Sequence, residues 1–240
     1  MSGHSKWSKV KQKKGAIDAK RSASFSKLSK AVTIAARDGG GDPAMNFKLR
    51  MAMDKAKAGG LPKDKVEKAI LRGTGEGDSG QIEEVIYEAF SPGGVGMLIE
   101  CLSDNTNRTV AEVKHIVSKS GGTMAGPGSV MWMFDRKGVI RVDDVSKISD
   151  RDAFELATID AGAEDIRDQE DGVEIITEMS DLQKVVEALS SIGIDPDSAE
   201  LEYLPKDPVA VDEKVSESIM KLCEALDEND DVNNIYTNEV

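Results

Sequence analysis

Cysteine, histidine and aromatic residues are scarce in this chain of 240 residues, in which aromatic side chains make up 4%. The two cysteines, Cys101 and Cys223, form no Cys-x-x-Cys pair. This argues against a disulfide scaffold and against a cysteine-based zinc site. The two histidines, His4 and His115, are too few for most metal sites or for Ser-His chemistry. Neither Asp nor Cys lies beside His115 in the sequence to orient its ring as a base.

Long apolar runs and catalytic motifs are also missing. No apolar run approaches the roughly 18 residues of a membrane span, and the polar, basic start is unlike a secretory signal. The sequence contains neither a phosphate-binding loop of the Gly-x-x-x-x-Gly-Lys type nor a Gly-x-Gly-x-x-Gly loop between a strand and a helix. Adjacent acidic pairs such as Asp143-Asp144 point to opposite faces of a strand and do not converge on one substrate. We therefore expect a cytoplasmic protein that is not an enzyme, with no catalytic residue, cofactor, metal, small-molecule substrate or membrane partner.

What the chain does have is charge, and the charge is unevenly divided. The net charge is −13. Residues 1–72 carry 18 basic and 6 acidic side chains, a net of +12, so the remaining 168 residues carry a net of −25. A basic module on an acidic body indicates binding to a polyanion, with the rest of the chain held away from it. The alternative, a solvated lysine-rich surface without a partner, remains open.

The apolar spacing predicts three helices in the basic part. The first is expected to begin at Phe25 and to end at the glycines 39–41, because apolar residues recur there at intervals of three and four. Asp42 and Pro43 are expected to be the N-cap and the first residue of the second helix. The third helix is expected to follow Pro62 and to end before a glycine-rich linker.

Beyond the linker the pattern alternates like that of strands. It predicts a hairpin over residues 82–102, a helix opened by Thr109, and a second hairpin that turns through residues 135–138. The fold class is therefore α+β, with a three-helix module and two ferredoxin-like α+β domains, the first completed by the last helix and strand. The expected division is a basic mobile arm at 1–22, a helical basic domain at 23–73, a glycine-rich linker at 74–80, a discontinuous α+β domain at 81–129 plus 206–240, and an inserted α+β domain at 130–205.

Lysines interleaved with aromatic rings indicate a nucleic-acid site. Lysine neutralises phosphates, and a flat ring such as that of Trp7 can stack on an unpaired base. For Trp7, packing against the protein body is an equal alternative, and for Arg108 so is a local salt bridge. The candidate nucleic-acid contacts are Lys6, Trp7, Lys9, Lys11, Lys13, Lys14, Lys20, Arg21, Lys27, Arg50 and Arg108.

Several short motifs resemble those of the YebC/PmpR family of probable transcriptional regulatory proteins. The motifs span nearly the whole chain and are specific when taken together. They are Gly3-His4-Ser5-Lys6-Trp7, Asp18-Ala19-Lys20-Arg21, Gly39-Gly40-Gly41-Asp42-Pro43, Ile86-Tyr87-Glu88, Pro92-Gly93-Gly94, Glu100-Cys101-Leu102-Ser103-Asp104-Asn105, Asn107-Arg108-Thr109, Gly128-Ser129-Val130 and Ala161-Gly162-Ala163-Glu164-Asp165. The resemblance implies a three-domain architecture and a role in gene expression that involves nucleic acid.

Two functions follow from the resemblance, and the residues bear on both. Bacterial members of the family are described as DNA-binding regulators, whereas mitochondrial relatives look like translational activators that work with the ribosome. Residues 1–72 contain 14 lysines and 4 arginines, and lysine reads phosphate as a point charge with little base specificity. This chemistry fits ribosomal RNA well, whereas the family resemblance favours DNA. On the resemblance we expect a DNA-binding transcriptional regulator, with a ribosome-associated, RNA-binding translation factor as the alternative.

Overall fold

The computed structural model describes residues 21–76, 82–169 and 172–240. Most of the expected arm (residues 1–20) and residues 77–80 of the expected linker lie outside the described residues. The chain begins with a helical region and continues with two sheets of four strands each. The predicted α+β class, with a helical N-terminal region followed by two sheet-containing domains, is confirmed.

Three helices form the N-terminal region: α1 (Arg21–Gly39), α2 (Phe47–Ala58) and α3 (Lys63–Gly73). Their shared core contains buried alanine, valine and leucine side chains at helical spacing, among them Val32, Leu49 and Val66. Helix α1 has a second buried face, because Ile34 packs with Ile82 and Leu102 of the next domain. The first helix therefore has two apolar faces, one for the bundle and one for the sheet that follows.

The start of α2 differs from the prediction. Asp42 does not cap the helix; its carboxylate accepts a hydrogen bond from the backbone N–H of Ala44 in a turn. The N-cap is Asn46, whose side-chain oxygen accepts from the N–H of Leu49 at 3.0 Å. The amide nitrogen of Asn46 also donates to the carbonyls of Ala35 (2.7 Å) and Gly40 (2.8 Å). Asn46 is the N-cap because its buried amide forms hydrogen bonds with backbone groups at both the end of α1 and the start of α2.

The first sheet consists of β1 (Glu83–Phe90), β2 (Gly96–Ser103), the short β3 (Thr123–Met124) and, from the end of the chain, β8 (Val232–Thr237). Its order is β3-β1-β2-β8, and the β1–β2 hairpin agrees with the prediction. Helices α4 (Thr106–Lys119) and α7 (Glu213–Asp227) pack on one face around Met97 and Ile99. Leu102, on the opposite face of β2, contacts α1 instead. All of β2 is consequently buried.

The second sheet is built from β4 (Phe134–Val142), β5 (Ala163–Asp168), β6 (Val173–Thr177) and β7 (Ser198–Pro205), with helices α5 (Arg151–Asp160) and α6 (Leu182–Ser191) between them. Its order is β5-β6-β4-β7, the arrangement of a split βαβ fold. Arg141 of β4 forms buried ion pairs with Glu174 and Glu202, which lie on the neighbouring strands β6 and β7.

The predicted hairpin through residues 135–138 is wrong, because β4 runs through them as one strand. Gly138 does not turn the chain. A Cβ atom at this position would lie 2.3 Å from the side-chain oxygen of Thr177 on β6, so the glycine permits close approach of two strands.

The described residues divide into two compact units. The first contains the helical region and the first sheet, up to Phe134, together with Pro205–Val240; the second is Asp135–Leu204. The expected boundaries at 129/130 and 205/206 stay a prediction.

Candidate nucleic-acid interface

Seven of the eleven predicted contacts, from Lys6 to Lys20, lie outside the described residues. Arg21 begins α1, and its side chain is not described. These eight nucleic-acid contacts stay predictions. The remaining three, Lys27, Arg50 and Arg108, have defined surroundings: Lys27 and Arg108 each pair with an aspartate near the end of the chain, and Arg50 does not.

Lys27 lies on the face of α1 that packs against the first α+β domain. Its ammonium group donates to the backbone carbonyl of Asp227 at 2.5 Å and lies 3.4 Å from a carboxylate oxygen of the same residue. The side chain is 15% exposed. Lys27, Lys30, Ile34 and Arg37 recur at intervals of three and four, so they share one face of the helix. Contact between Lys27 and a phosphate would require the pair with Asp227 to open.

Asp231 is the centre of the polar contacts at this face, which we call the Asp231 cluster: Lys30, Arg108, Thr109 and Asp231. One carboxylate oxygen of Asp231 accepts from Lys30, and the other accepts from Arg108 Nη2 and from Thr109 Oγ1, both at 2.7 Å. Its side chain is 4% exposed. Burial alone would raise the pKa of Asp231, but the hydrogen bonds from Arg108, Lys30 and Thr109 outweigh it and lower the pKa from 3.8 to about 2.

Arg108 lies inside α4, not in a loop before it. The helix begins at Thr106 because Asn105 is the N-cap, whose side chain accepts from the N–H of Arg108 at 3.1 Å. The predicted capping role of Thr109 is therefore wrong; its hydroxyl bonds to Asp231 instead. Arg108 Nη2 also lies 3.0 Å from Asp104. The side chain of Arg108 is 46% exposed, so a partner can reach it, but its hydrogen bonds to Asp104 and Asp231 already tie it to the fold.

Arg50 lies on α2 with its guanidinium carbon 5.3 Å from the centre of the Phe47 ring. The residue is half-buried. Among the described residues no carboxylate forms an ion pair with Arg50, whose charge lies over the Phe47 ring.

A basic stripe that the sequence prediction missed lies along α3: Lys65, Lys68 and Arg72. The three residues are exposed and follow one another at intervals of three and four, which places them on one side of the helix. Val66 and Ala69 of the same helix are buried in the core of the bundle. Lys68 and Arg72 form no ion pair with any described residue, and the ammonium of Lys65 lies 5.7 Å from the centre of the Phe25 ring. The spacing of these three residues was readable from the sequence, but the absence of ion pairs to Lys68 and Arg72 among the described residues was not.

Within residues 21–76, 82–169 and 172–240, no group of three or more His, Cys, Asp or Glu side chains could hold a metal ion. Within the same ranges no helix combines the length and the apolar character needed to cross a membrane.

Comparison with known proteins places this chain among similar sequences over its full length. The family described as the TACO1/YebC protein N-terminal domain matches residues 5–76, and the one described as the TACO1/YebC second and third domain matches residues 82–239. A "Probable transcriptional regulatory protein" of Kosmotoga olearia is 50% identical over 238 residues, covering 99% of this chain and 94% of that protein. One of the same description from Desulfosudis oleivorans is 48% identical, with 99% and 96% covered.

A solved structure shares the fold. The crystal structure of the conserved hypothetical protein Aq1575 from Aquifex aeolicus matches with a TM-score of 0.84 and 38% identity. The match covers 94% of this chain and 92% of that one. The likeness therefore includes all three parts of the architecture.

Proposed function

The chain belongs to the TACO1/YebC family, and we propose on that premise that it is a regulator of gene expression that acts by binding nucleic acid. Its relatives are described as probable transcriptional regulatory proteins, so DNA is the first candidate ligand. We propose no catalytic step, and the cytoplasmic location stays a prediction.

The basic stripe on α3 is the observation that carries this proposal. The cations on α1 whose side chains are described, Lys27, Lys30 and Arg37, have acidic partners, whereas Lys68 and Arg72 have none among the described residues. Phosphate groups on a nucleic-acid backbone are the ligands that exposed lysine and arginine bind without sequence preference. A row of cations at helical spacing can contact successive phosphates, and the predicted contacts at residues 6–21 would add further cations.

RNA on the ribosome is the second candidate, favoured by one observation. Lysine outnumbers arginine by 14 to 4 in residues 1–72. Reading of base edges in a duplex groove relies largely on Arg, Asn and Gln, whereas lysine binds the backbone of DNA and RNA alike. The chemistry of the stripe is therefore compatible with either nucleic acid, and the choice between them is experimental.

The test removes the two cations without carboxylate partners and measures the salt dependence of binding. In the variant Lys68→Gln/Arg72→Gln we expect the slope of log K against log [salt] for duplex DNA to flatten by about 1.8, since each lost phosphate contact contributes about 0.9. The matched control is Lys114→Gln/Lys119→Gln, which removes two exposed lysines from α4 and should leave the slope unchanged. Equal slopes in all three proteins would contradict a nucleic-acid role for α3.

The two ligands are separated by a second measurement in the same buffer. Fluorescence anisotropy gives the affinity for duplex DNA, and cosedimentation with purified ribosomes gives the affinity for ribosomes. Duplex binding near 10⁻⁸ M with no cosedimentation would support a DNA-binding regulator. Ribosome binding at least about tenfold tighter, a difference of about 1.4 kcal/mol, would support the translational alternative.

A further inference from the structure

Helix α5, in the second compact unit, carries an apolar patch on its outward side. Phe154 and Thr158 of this helix are fully buried, and at about 100° per residue Leu156 lies on the opposite side. Leu156 is 63% exposed, and Ile159, about one turn further along, is 58% exposed. Single apolar side chains are common at a surface, but two neighbours on the outward side of one helix form a patch that a partner can cover.

Two aspartates lie on the same side of α5 as this patch. Asp152 and Asp160 are four positions before and after Leu156, so each lies about one helical turn from it. Both residues are exposed, and neither carboxylate forms an ion pair or a hydrogen bond with a described residue. We call Asp152, Leu156, Ile159 and Asp160 the α5 face. This face is apolar at its centre and negatively charged at its two ends.

The cations of the second unit are engaged away from the α5 face. Residues 135–204 contain 7 basic and 20 acidic side chains, a net charge of −13. Six of the seven cations form ion pairs with other acids of the unit, and the seventh, Arg136, lies 5.5 Å from the centre of the Tyr203 ring. The six are Lys137, Arg141, Lys147, Arg151, Arg167 and Lys184. A positive charge that pairs with Asp152 or Asp160 therefore has to come from outside the unit.

We propose that the α5 face binds a basic amphipathic helix of another protein. Such a helix packs apolar side chains against Leu156 and Ile159, and it places lysine or arginine beside Asp152 and Asp160. The inference goes beyond the proposed function, because it assigns a protein partner to the acidic second unit, whereas the proposed function concerns the basic helices.

Charge favours this partner over the alternatives. The net charge of −13 on residues 135–204 repels the phosphate groups of a nucleic acid or of an anionic membrane. A second copy that met the same face across a two-fold axis would bring its own Asp152 and Asp160 close to those of the first, and like charges oppose that contact. A neutral apolar helix would leave both aspartates unpaired. A basic helix complements both the apolar centre and the acidic ends of the α5 face.

The experiment titrates the full-length protein into a fluorescently labelled peptide and records the anisotropy of the label. The peptide has about 18 residues, or about five helical turns, with leucine at intervals of three and four and lysine at the other positions. A control peptide has the same composition in an order without helical periodicity. At an ionic strength of about 0.15 M, we expect saturable binding of the amphipathic peptide. This binding should be about tenfold tighter than that of the control peptide, which cannot place its leucines on one side.

Substitutions in the α5 face separate its apolar contribution from its charged one. Leu156→Gln/Ile159→Gln should weaken binding of the amphipathic peptide about tenfold, because the contacts of two apolar side chains are lost. Asp152→Asn/Asp160→Asn should weaken it about threefold, since each exposed ion pair contributes little.

Matched controls change the same kinds of residue elsewhere in the second unit. Val145→Gln replaces an apolar side chain that is 49% exposed and lies outside α5. Asp143→Asn/Asp195→Asn removes two exposed carboxylates, and so the same charge as Asp152→Asn/Asp160→Asn. We expect both controls to bind the peptide as the wild type does. Circular dichroism and thermal unfolding confirm that each variant is folded.

Three outcomes would overturn the inference. Equal affinity for the two peptides, or equal affinity of wild type and Leu156→Gln/Ile159→Gln, would show attraction by net charge alone. No binding at protein concentrations up to about 0.5 mM would exclude even a weak, transient partner. Self-association in sedimentation velocity that is lost both in Leu156→Gln/Ile159→Gln and in Lys68→Gln/Arg72→Gln would assign the α5 face to helix α3 of a second copy. None of these measurements uses a nucleic acid, so each of these results leaves the proposed function intact.

Discussion

The cations of α1 and those of α3 carry the same charge on two helices of one bundle, but their surroundings differ. Lys27 and Lys30 contact Asp227 and Asp231, which lie at the far end of the chain. Lys68 and Arg72 meet no described carboxylate. The first group therefore attaches the helical region to the first sheet, and the second is available to an external anion. Formal charge alone does not separate these roles, since both groups contribute equally to the +12 of residues 1–72.

Among the substitutions that test this comparison, Asp231→Asn is expected to have the largest effect on the free energy of unfolding. The substitution leaves Lys30 and Arg108 without their shared counter-ion, and we expect a loss of about 2 to 3 kcal/mol in the free energy of unfolding. The matched control is Asp104→Asn, which removes the exposed partner of the same arginine and should cost less than about 1 kcal/mol. Urea unfolding of the three proteins measures both values. Equal stability of the two variants would show that the Asp231 cluster does not hold the domains together.

Acid titration of stability gives the next effect. The folded-state pKa of Asp231 is about 2, below its unfolded value of 3.8. A carboxylate with a lowered pKa stabilises the fold at pH above its unfolded pKa, and this contribution is lost as the pH falls from about 4 to about 2. Between pH 4 and pH 2 we expect the free energy of unfolding of the wild type to fall by about 2 kcal/mol more than that of Asp231→Asn. Unfolding free energies measured between pH 2 and 6 test this. The same dependence on pH in wild type and variant below about pH 4 would refute it.

The smallest expected effect compares the two groups of cations directly. Lys27→Gln removes a mostly buried ion pair, so we expect it to destabilise the protein by about 1 kcal/mol. We expect Lys68→Gln to change stability by less than about 0.5 kcal/mol, because it removes no ion pair. The salt slope of nucleic-acid binding should respond in the opposite order. A flatter slope in Lys27→Gln than in Lys68→Gln would support the sequence prediction that Lys27 contacts phosphate.

Much of the fold was readable from the sequence because its signals are local. The hairpin of β1 and β2, the last helix and the last strand follow from apolar spacing and from turn residues within a few positions. The errors arose where a distant group decides a local feature. Asn46 replaced Asp42 as a cap because its amide also satisfies the end of α1, and Gly138 lies within a strand because Thr177 approaches it.

The candidate site was less predictable for the same reason. Exposed and buried lysines look alike in a sequence, and Lys27 is separated from Asp227 by 200 positions. The α5 face was not singled out, since nothing near Asp152 and Asp160 in the sequence shows that the cations of the second unit pair with other acids. By contrast, the helical spacing of Lys65, Lys68 and Arg72 was visible, and only the absence of an ion pair to Lys68 and Arg72 among the described residues required the structure.

The sequence by itself determined the α+β class, the division into a basic N-terminal part and an acidic remainder, and the family to which the chain belongs. These follow from composition, periodicity and motifs, which are properties of the chain. Which cations are free, where Arg108 lies in its helix, and which apolar side chains of α5 face solvent were decided only by tertiary structure. The physical reason is that ion pairing and burial depend on distances of a few ångströms between groups remote in sequence, since the interaction of charges falls with their separation and with exposure to water.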